Sequence, residues 1–193
     1  MIERSEERDA AVLAALPHVP RLGWTVAALE AGLRDIGGEP AAHRWLFPRG
    51  PVEAVEVWID LADRRMEEEA QGEELEALRI PARIRRLIGI RLRQAAGERE
   101  ALRRALALMA LPWNAVAGAR SLARSADAIW AAAGDRSADF SWYTRRATLG
   151  AVYAATLAYW LREPVGVEAA LEFLDRRLAG LSRLRRSVPA GGA

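Results

Sequence analysis

The sequence predicts an all-α fold, and three observations support that prediction. Apolar residues recur with helical spacing through nearly all of the 193 residues. No run of alternating β-branched residues, the pattern of a half-buried strand, interrupts them. Proline and glycine divide the chain into segments of ordinary helix length, so that each segment can be assigned in turn.

The first three segments predict a helix-turn-helix-like module. EERDAAVLAALPH is a helix that ends at Pro17, and TVAALEAGLRDIGG is a helix with Thr25 as its N-cap and two glycines at its end. PAAHRWLF is a short third helix that Pro48 closes. A long helix, a second helix, a turn and a short third helix are the arrangement of such modules, and we predict one at residues 1–50.

The rest of the chain predicts a helical bundle at residues 51–193. PVEAVEVWIDLADRRMEEEAQG begins at Pro51, where a first-turn proline is tolerated, and ends at Gly72. The periodicity predicts five further helices, at 81–96, 98–111, 112–133, 139–162 and 166–186. The closing SVPAGGA lacks this periodicity, and we expect it to be frayed.

Composition argues against catalysis. The chain has no cysteine, which excludes disulfides, thiolate metal sites and a cysteine nucleophile. Two histidines, His18 and His43, leave little for metal or proton chemistry. Carboxylates occur in runs such as EEE rather than in the Glu-x-x-His pattern of di-iron bundles. We therefore predict a non-enzymatic protein with no catalytic residue, no metal and no cofactor.

Charge adds a weaker constraint. All 28 basic residues are arginine, whose guanidinium stays protonated, and this explains a pI near 9.6 at a formal net charge of only +2. The high pI is therefore weak support for nucleic-acid binding. The start, MIERSEERDA, carries acids without an apolar region, and no long apolar run follows. We expect no signal peptide, transit peptide or membrane span, and a cytoplasmic location.

Charge is also segregated along the chain. Residues 53–78 hold ten acids against two arginines, and residues 79–104 hold nine arginines against two glutamates. These regions either face each other within the fold or across a dimer, or the arginines form a surface for the phosphates of lipid or nucleic acid.

The segment RWLFPRGPVEAV resembles the end of the recognition helix in TetR-family repressors, which implies a TetR-like fold. Before it, PAAH replaces the small hydroxyl residues that those repressors offer to DNA, leaving His43, Arg44 and Arg49 as donors. We expect a retained scaffold without nucleic-acid binding. The alternative function is a TetR-family DNA-binding transcriptional regulator with a hydrophobic ligand pocket.

The second half carries a longer resemblance. LALMALPWNAVAGARSLARSADAIWAAAGDRSADFSWYTRRATLGAVYAATLAYWL, with RLGWTVAALEAGL before it and FLDRRL after it, resembles the Coq-nine family. That family consists of ubiquinone-biosynthesis accessory proteins with a TetR-like fold. The chain departs from the family at Ser141, where asparagine is typical, although serine also caps helices.

The resemblance implies a homodimeric lipid-binding protein. It would hold an isoprenoid quinone intermediate or a phospholipid and assist the di-iron demethoxyubiquinone hydroxylase. Its location would be cytoplasmic, with peripheral attachment to the inner membrane of a bacterium.

SADFSWYTRR, at the start of the helix predicted over 139–162, places two large rings beside two cations. Such a mixture is enriched at interface hot spots. Residues alone leave open a capped helix start with a buried Trp142 and with Arg146 paired to Asp139 or Asp135. With the family resemblance, a partner-binding patch is favoured, formed by Asp139, Trp142, Tyr143 and Arg146.

A lipid cavity needs walls with room between helices. The small-residue stretches 105–118 and 147–158 supply that room. Trp24, Trp58 and Trp130 sit at helical spacing and suit a core better than a pocket, and the same holds for Trp113 taken alone. Our candidate lipid-binding residues are Leu106, Met109, Trp113, Leu149 and Tyr153.

The last helix is amphipathic and ends in arginines. Its apolar stripe either packs against the bundle or a second subunit, or lies on an anionic membrane surface. The candidate membrane residues are Arg176, Arg177, Arg183, Arg185 and Arg186.

Overall fold

The computed structural model describes residues 3–134 and 141–187. For residues 141–143, 145 and 180–187 it describes the backbone only. Within this part of the chain the α-helices, in order, are α1 Glu6–Ala15, α2 Val19–Leu22, α3 Val26–Asp35, α4 His43–Leu46, α5 Pro51–Gln71, α6 Ile80–Gln94, α7 Arg99–Met109, α8 Ala115–Ala132, α9 Ser141–Trp160 and α10 Val167–Ser187. No strand occurs among these residues, and the all-α prediction is confirmed.

Helix ends follow local chemistry. Thr25 caps α3 as predicted, since its hydroxyl accepts a hydrogen bond of 3.3 Å from the backbone N–H of Ala28. The first helix, predicted to end at Pro17, is shorter in the structure. Helix α1 ends at Ala15, and a 3₁₀ turn at Leu16–His18 separates it from α2. The helix predicted from 112 begins only at Ala115. Asn114 closes the turn before it, donating 2.9 Å to the Leu108 carbonyl.

A first core joins the N-terminal helices to α5 and α7. It contains Leu29 and Phe47, which are fully buried, together with the N-terminal half of α5 and the inner face of α7. The rings of Trp24 and Trp58 lie 5.4 Å apart at a tilt of 38°, and Trp24 donates 2.9 Å to the Ala101 carbonyl. The burial predicted for both tryptophans is confirmed.

A second core lies between α6, α8, α9, α10 and the C-terminal half of α5. Helix α6 runs through its centre and buries Leu87, Ile88 and Ile90 completely. Helix α5 is long enough to serve both cores, and Leu102 of α7 packs against both. The division of the chain at residue 50 stays a prediction.

The two oppositely charged stretches face each other only in part. Arg91 of α6 pairs with Asp63 of α5, and Arg86 of α6 pairs with Glu73 in the turn after α5. Other arginines of the basic stretch bond elsewhere: Arg85 pairs with Asp175 of α10, and Arg103 donates to the Leu161 carbonyl beyond α9. Much of the basic stretch thus serves to hold helices together.

Candidate functional site

A cavity of about 50 Å³ lies where the two cores meet. Trp58 of the first core and Tyr153 of the second both line it, and Leu102 closes it from α7. Its wall is mostly apolar, with five further apolar side chains: Ile59, Leu61, Ala62, Ala95 and Leu157. Arg65, Arg91, Gln94 and Glu98 add polar groups. An apolar space with a few polar groups is the usual form of a small-molecule site.

A polar network of four side chains reaches the wall of this cavity through Arg91 and Tyr153. Arg91 donates to Oδ1 of Asp63, and its Nε donates 3.2 Å to the hydroxyl of Tyr153. Ser125 donates 2.9 Å to Oδ2 of Asp63. These four side chains come from α6, α5, α9 and α8. Asp63, Ser125 and Tyr153 are buried, and 9% of the Arg91 side chain is exposed. The network therefore fixes four helices around one guanidinium.

Burial and pairing have opposite effects on the protonation of Asp63. Burial raises the pKa of Asp63, although Arg91 and Ser125 favour the charged form. We take the pair as ionised at neutral pH, because an arginine is effectively always protonated and donates directly to the carboxylate. Burial also raises the pKa of Tyr153, so its hydroxyl stays protonated.

Gln94 supplies a second polar group to the cavity. Its Nε2 donates 2.8 Å to Oε2 of Glu69, which fixes the orientation of the amide. Its Oε1 is buried and accepts no hydrogen bond from the described residues. Nearby, burial raises the pKa of Glu98, against the opposing effects of Arg65 and Trp58.

The predicted lipid-binding residues do not gather around this cavity. Tyr153 lines it, whereas Leu149 lies buried in the second core and Leu106 packs half-buried against that core. Met109 belongs to the first core. Trp113 is 76% exposed in the turn before α8, so the interpretation of it as a core residue was wrong. The cause is the turn, which breaks the helical register on which that interpretation rested.

Sequence reasoning missed Arg91, Asp63 and Gln94. A signal was present, since Arg91 lies on the apolar stripe of α6, seven residues after Ile84. Asp63 likewise lies three residues before the buried Met66. A charge on a buried helix face needs a partner, and Arg91 and Asp63 are partners of each other.

Comparisons with known proteins are specific. Residues 115–185 match the family model described as COQ9. The human "Ubiquinone biosynthesis protein COQ9, mitochondrial" is 31% identical over 185 residues, which cover 91% of this chain and 58% of the human protein. The protein of the same description from Schizosaccharomyces pombe is 31% identical over 183 residues, covering 93% of this chain and 72% of that protein. The chain belongs to the COQ9 family.

A solved structure supports the fold. The crystal structure of the TetR transcriptional regulator from Nitrosomonas europaea ATCC 19718 superposes with a TM-score of 0.72, covering 93% of this chain and 99% of that one at 23% identity. The TetR-like fold and the Coq-nine resemblance are thus both confirmed. Fold similarity at this identity says nothing about function, and the chain spans little more than half of the human COQ9 protein.

The COQ9 family match covers α8, α9 and all but the end of α10, and so includes the predicted partner-binding patch. Arg146 donates 2.6 Å to Oδ1 of Asp127, which ties the start of α9 to α8. Asp139 and Asp135 lie outside the described residues, as do the side chains of Trp142 and Tyr143. The patch itself stays a prediction.

Helix α10 of this COQ9-family chain packs on the bundle along the first part of its apolar stripe. Leu171 and Leu174 are buried in the second core, and Tyr159 of α9 stacks on Phe173 at 4.6 Å. Arg176 and Arg177 are exposed, with Arg177 also lying over the Phe173 ring. The side chains of Arg183, Arg185 and Arg186 lie outside the description. None of the described helices has the length and apolarity to cross a membrane.

The segment around α4, which resembles the end of a TetR-family recognition helix, offers DNA few side-chain donors that are not already bonded within the protein. His43 is buried and its Nδ1 donates 2.9 Å to the Pro40 carbonyl. Arg49 pairs at 2.5 Å with the buried Glu56. Arg44 is exposed beside Trp45, whose exposed fraction is 57%.

Proposed function

We propose that this COQ9-family protein is an accessory protein of ubiquinone biosynthesis that binds an isoprenoid quinone intermediate or a phospholipid. The observation that carries the proposal is the match to COQ9 proteins, named for ubiquinone biosynthesis, over more than nine-tenths of the chain. The proposed role is to hold a poorly soluble molecule for an enzyme, with no catalytic step in the protein itself.

The cavity at the junction of the cores supports lipid binding. Its apolar wall suits a hydrocarbon segment, and Arg91 and Gln94 can orient a polar head group. The volume of about 50 Å³ is smaller than the ~150 Å³ that holds a benzene molecule, so it takes only part of a lipid. The remainder would lie between or outside the helices.

Organic extracts of the purified protein test this function. We expect an isoprenoid quinone or phospholipid at near-stoichiometric amount in mass spectra of the wild type. Ala62→Leu places a larger side chain in the cavity and should reduce that amount severalfold. Ala107→Leu, the same change at an exposed position of α7, is the matched control. Extracts with no lipid above a control protein prepared alike would contradict the proposal.

We further propose that the start of α9 docks the di-iron demethoxyubiquinone hydroxylase. Trp142, Tyr143 and Arg146, with Asp139, have the ring-and-cation composition of an interface centre. The Arg146–Asp127 ion pair supports the docking proposal, because it holds the first turns of α9 in place against α8.

Trp142→Glu should lower hydroxylase affinity about 30-fold to 1000-fold, or ~2–4 kcal/mol, while leaving the melting temperature unchanged. Trp45→Glu changes an exposed tryptophan in the N-terminal module and serves as the control for added charge. A collapsed melt for Trp142→Glu, or an unaltered pull-down of the hydroxylase, would speak for a tryptophan that packs inside the protein.

We propose peripheral attachment to the inner membrane of a bacterium through the arginine-rich end of α10, in a homodimer. The exposed Arg176 and Arg177 support it, since cations near an anionic surface contribute about 1 kcal/mol each. Flotation with phosphatidylglycerol vesicles should retain the protein at low salt, and replacing the five arginines by glutamine should abolish it. Equal flotation with neutral phosphatidylcholine vesicles would argue against an electrostatic contact.

A further inference from the structure

Two side chains of α6 that line the cavity each keep a polar group without a partner in the described part of the chain. The guanidinium of Arg91 uses Nε and Nη1 for Tyr153 and Asp63, which leaves the N–H groups of Nη2. The amide of Gln94 uses Nε2 for Glu69, which leaves the buried Oε1. One group is a charged donor and the other a neutral acceptor.

Their spacing allows one ligand group to meet both. Residues three apart on a helix lie on the same face, with about 5–6 Å between their Cβ atoms. A hydroxyl oxygen accepts one hydrogen bond and donates another, so it can accept from Arg91 and donate to Gln94. An ionised carboxylate or phosphodiester has no O–H and could satisfy only Arg91, and it would bring a negative charge towards the buried Asp63 and towards Glu98.

We propose that Arg91 and Gln94 form a recognition site for the hydroxyl group of an otherwise apolar molecule. This inference rests on the proposed lipid-binding function and assigns the polar end of the ligand. The cavity of about 50 Å³ exceeds the ~10–15 Å³ that a single water needs, so it admits a hydroxyl with the carbon atoms beside it. Trp58, Leu102 and Leu157 then contact those carbon atoms.

Two sources could supply such a hydroxyl: the ring of a prenylated phenol, or the glycerol of a lipid. The test uses a matched pair of probes for each. 2-Geranylphenol is compared with its O-methyl ether, and 1,2-dioctanoylglycerol is compared with its O-methyl ether. Each ether keeps the apolar body and the oxygen but loses the donor for Gln94.

Calorimetric titration of the full chain measures the affinities. We expect the hydroxyl form of at least one pair to bind about tenfold more tightly than its ether, the value of one buried hydrogen bond. Gln94→Leu should remove the preference. Glu69→Gln should preserve it, because a glutamine at position 69 still offers an oxygen to Nε2 of Gln94 and leaves both cavity groups in place. Arg91 is not replaced, since the buried Asp63 would lose its partner.

The outcomes separate the inference from the function on which it rests. Equal affinity within both pairs, as expected if water alone occupies the two groups, overturns the hydroxyl site and leaves lipid binding standing. A preference that survives in Gln94→Leu also overturns the site. Failure of every probe to bind overturns the proposed function as well. The probe comparison on the wild type decides the matter even where Gln94→Leu does not fold.

Discussion

The carboxylate of Asp60 accepts hydrogen bonds from two arginines. Asp60 of α5 accepts two hydrogen bonds from Arg4, at 3.0 and 2.9 Å, and one of 3.0 Å from Arg64. Arg64 in turn donates 2.8 Å to both carboxylate oxygens of Asp9 on α1. Two or more donors on one carboxylate stabilise its charged form, and the planar guanidinium suits this geometry. Asp60 therefore links the N-terminus and α1 to α5.

The pKa of Asp60 predicts a contribution that acid removes. Burial alone would raise this pKa, but the hydrogen bonds from Arg4 and Arg64 outweigh it and lower the pKa below its usual value. The folded pKa then lies below the unfolded value of about 3.9. The resulting stabilisation is fully present above about pH 4 and is lost as the pH falls through the folded value.

Asp60→Asn should lower the free energy of unfolding at pH 7 by about 1–3 kcal/mol, since the hydrogen bonds to a charged acceptor are lost. The difference from wild type should shrink below pH 4. Urea titrations at pH 7 and pH 3 measure both effects. Glu67→Gln is the control of opposite sign, because burial raises the pKa of Glu67 and its charge does not favour folding at neutral pH. A deficit for Asp60→Asn that is equal at both pH values would exclude this account.

Residue-level prediction succeeded where helical spacing was continuous and failed where it was not. Trp24 and Trp58 lie on regular apolar stripes or beside a capped start, and both are buried. Trp113 follows Pro112 in a turn, so counting by 3.6 residues across it assigned the wrong face. Arg91 could have been found as a charge on an apolar stripe. Its partner Asp63 is 28 positions away, and such a pairing requires the fold.

At the scale of helices, the crossing of α1 and α3 depends on one glycine. A Cβ atom on Gly32 would lie 2.5 Å from the backbone of Ala14 and Ala15, so the helices are in backbone contact there. Close approach of this kind cannot be relieved by a side-chain rotation. The crossing therefore holds the N-terminal module in one geometry.

Gly32→Ala should destabilise the protein by roughly 1–3 kcal/mol or more, despite the higher helix propensity of alanine. Gly97→Ala is the matched control, since nothing lies within 4 Å of the Cβ it would gain. Thermal unfolding of both variants checks the prediction. Equal melting temperatures for the two would mean that α1 and α3 can separate slightly at no cost.

The side chains in and just after the short helix α4 determine whether the protein can bind DNA as a TetR-family repressor does. His43 is buried and hydrogen-bonded, and the exposed Arg49 is paired with Glu56, so Arg44 is the exposed cation of this segment that pairs with no described residue. Readout of bases needs several side chains aimed at a groove, and phosphate contacts need more cations. We expect no sequence-specific DNA binding at physiological salt in fluorescence anisotropy. A dissociation constant below about 10⁻⁷ M that depends on sequence would overturn this expectation.

For the whole molecule, the class of fold was predictable and the arrangement of its cores was not. Periodicity and breakers are local properties, and they predicted most helices to within a few residues. The RWLFP and GDRSADFSWYTRR motifs added the TetR-like fold and the family. The sharing of α5 and Leu102 between two cores, and the cavity at their junction, depend on contacts between distant segments. Local pattern carries no information about them.

Shared elements predict cooperative unfolding. Helix α5 contributes Val55 and Trp58 to the first core and Met66 to the second, so neither core can lose α5 alone. Leu102 of α7 contacts both cores, and the network around Arg91 ties α5 to α6, α8 and α9. Separate unfolding of either core would expose apolar surface of the other. The free energy of that exposure couples the two halves of the chain.

Leu29→Ala in the first core and Ile88→Ala in the second should therefore lower one common unfolding transition. Both side chains are fully buried, and each truncation should cost about 2–5 kcal/mol. For a chain of this size, that corresponds to a fall of very roughly 4–20 °C in melting temperature. Calorimetry and far-UV circular dichroism should give coincident transitions for each variant, and the double variant should melt lower still. Two transitions, with Leu29→Ala moving one and Ile88→Ala the other, would mean that the N-terminal module unfolds independently of the bundle. The cavity between the cores would then be open in the partly unfolded state, and ligand binding would have to raise both transitions together.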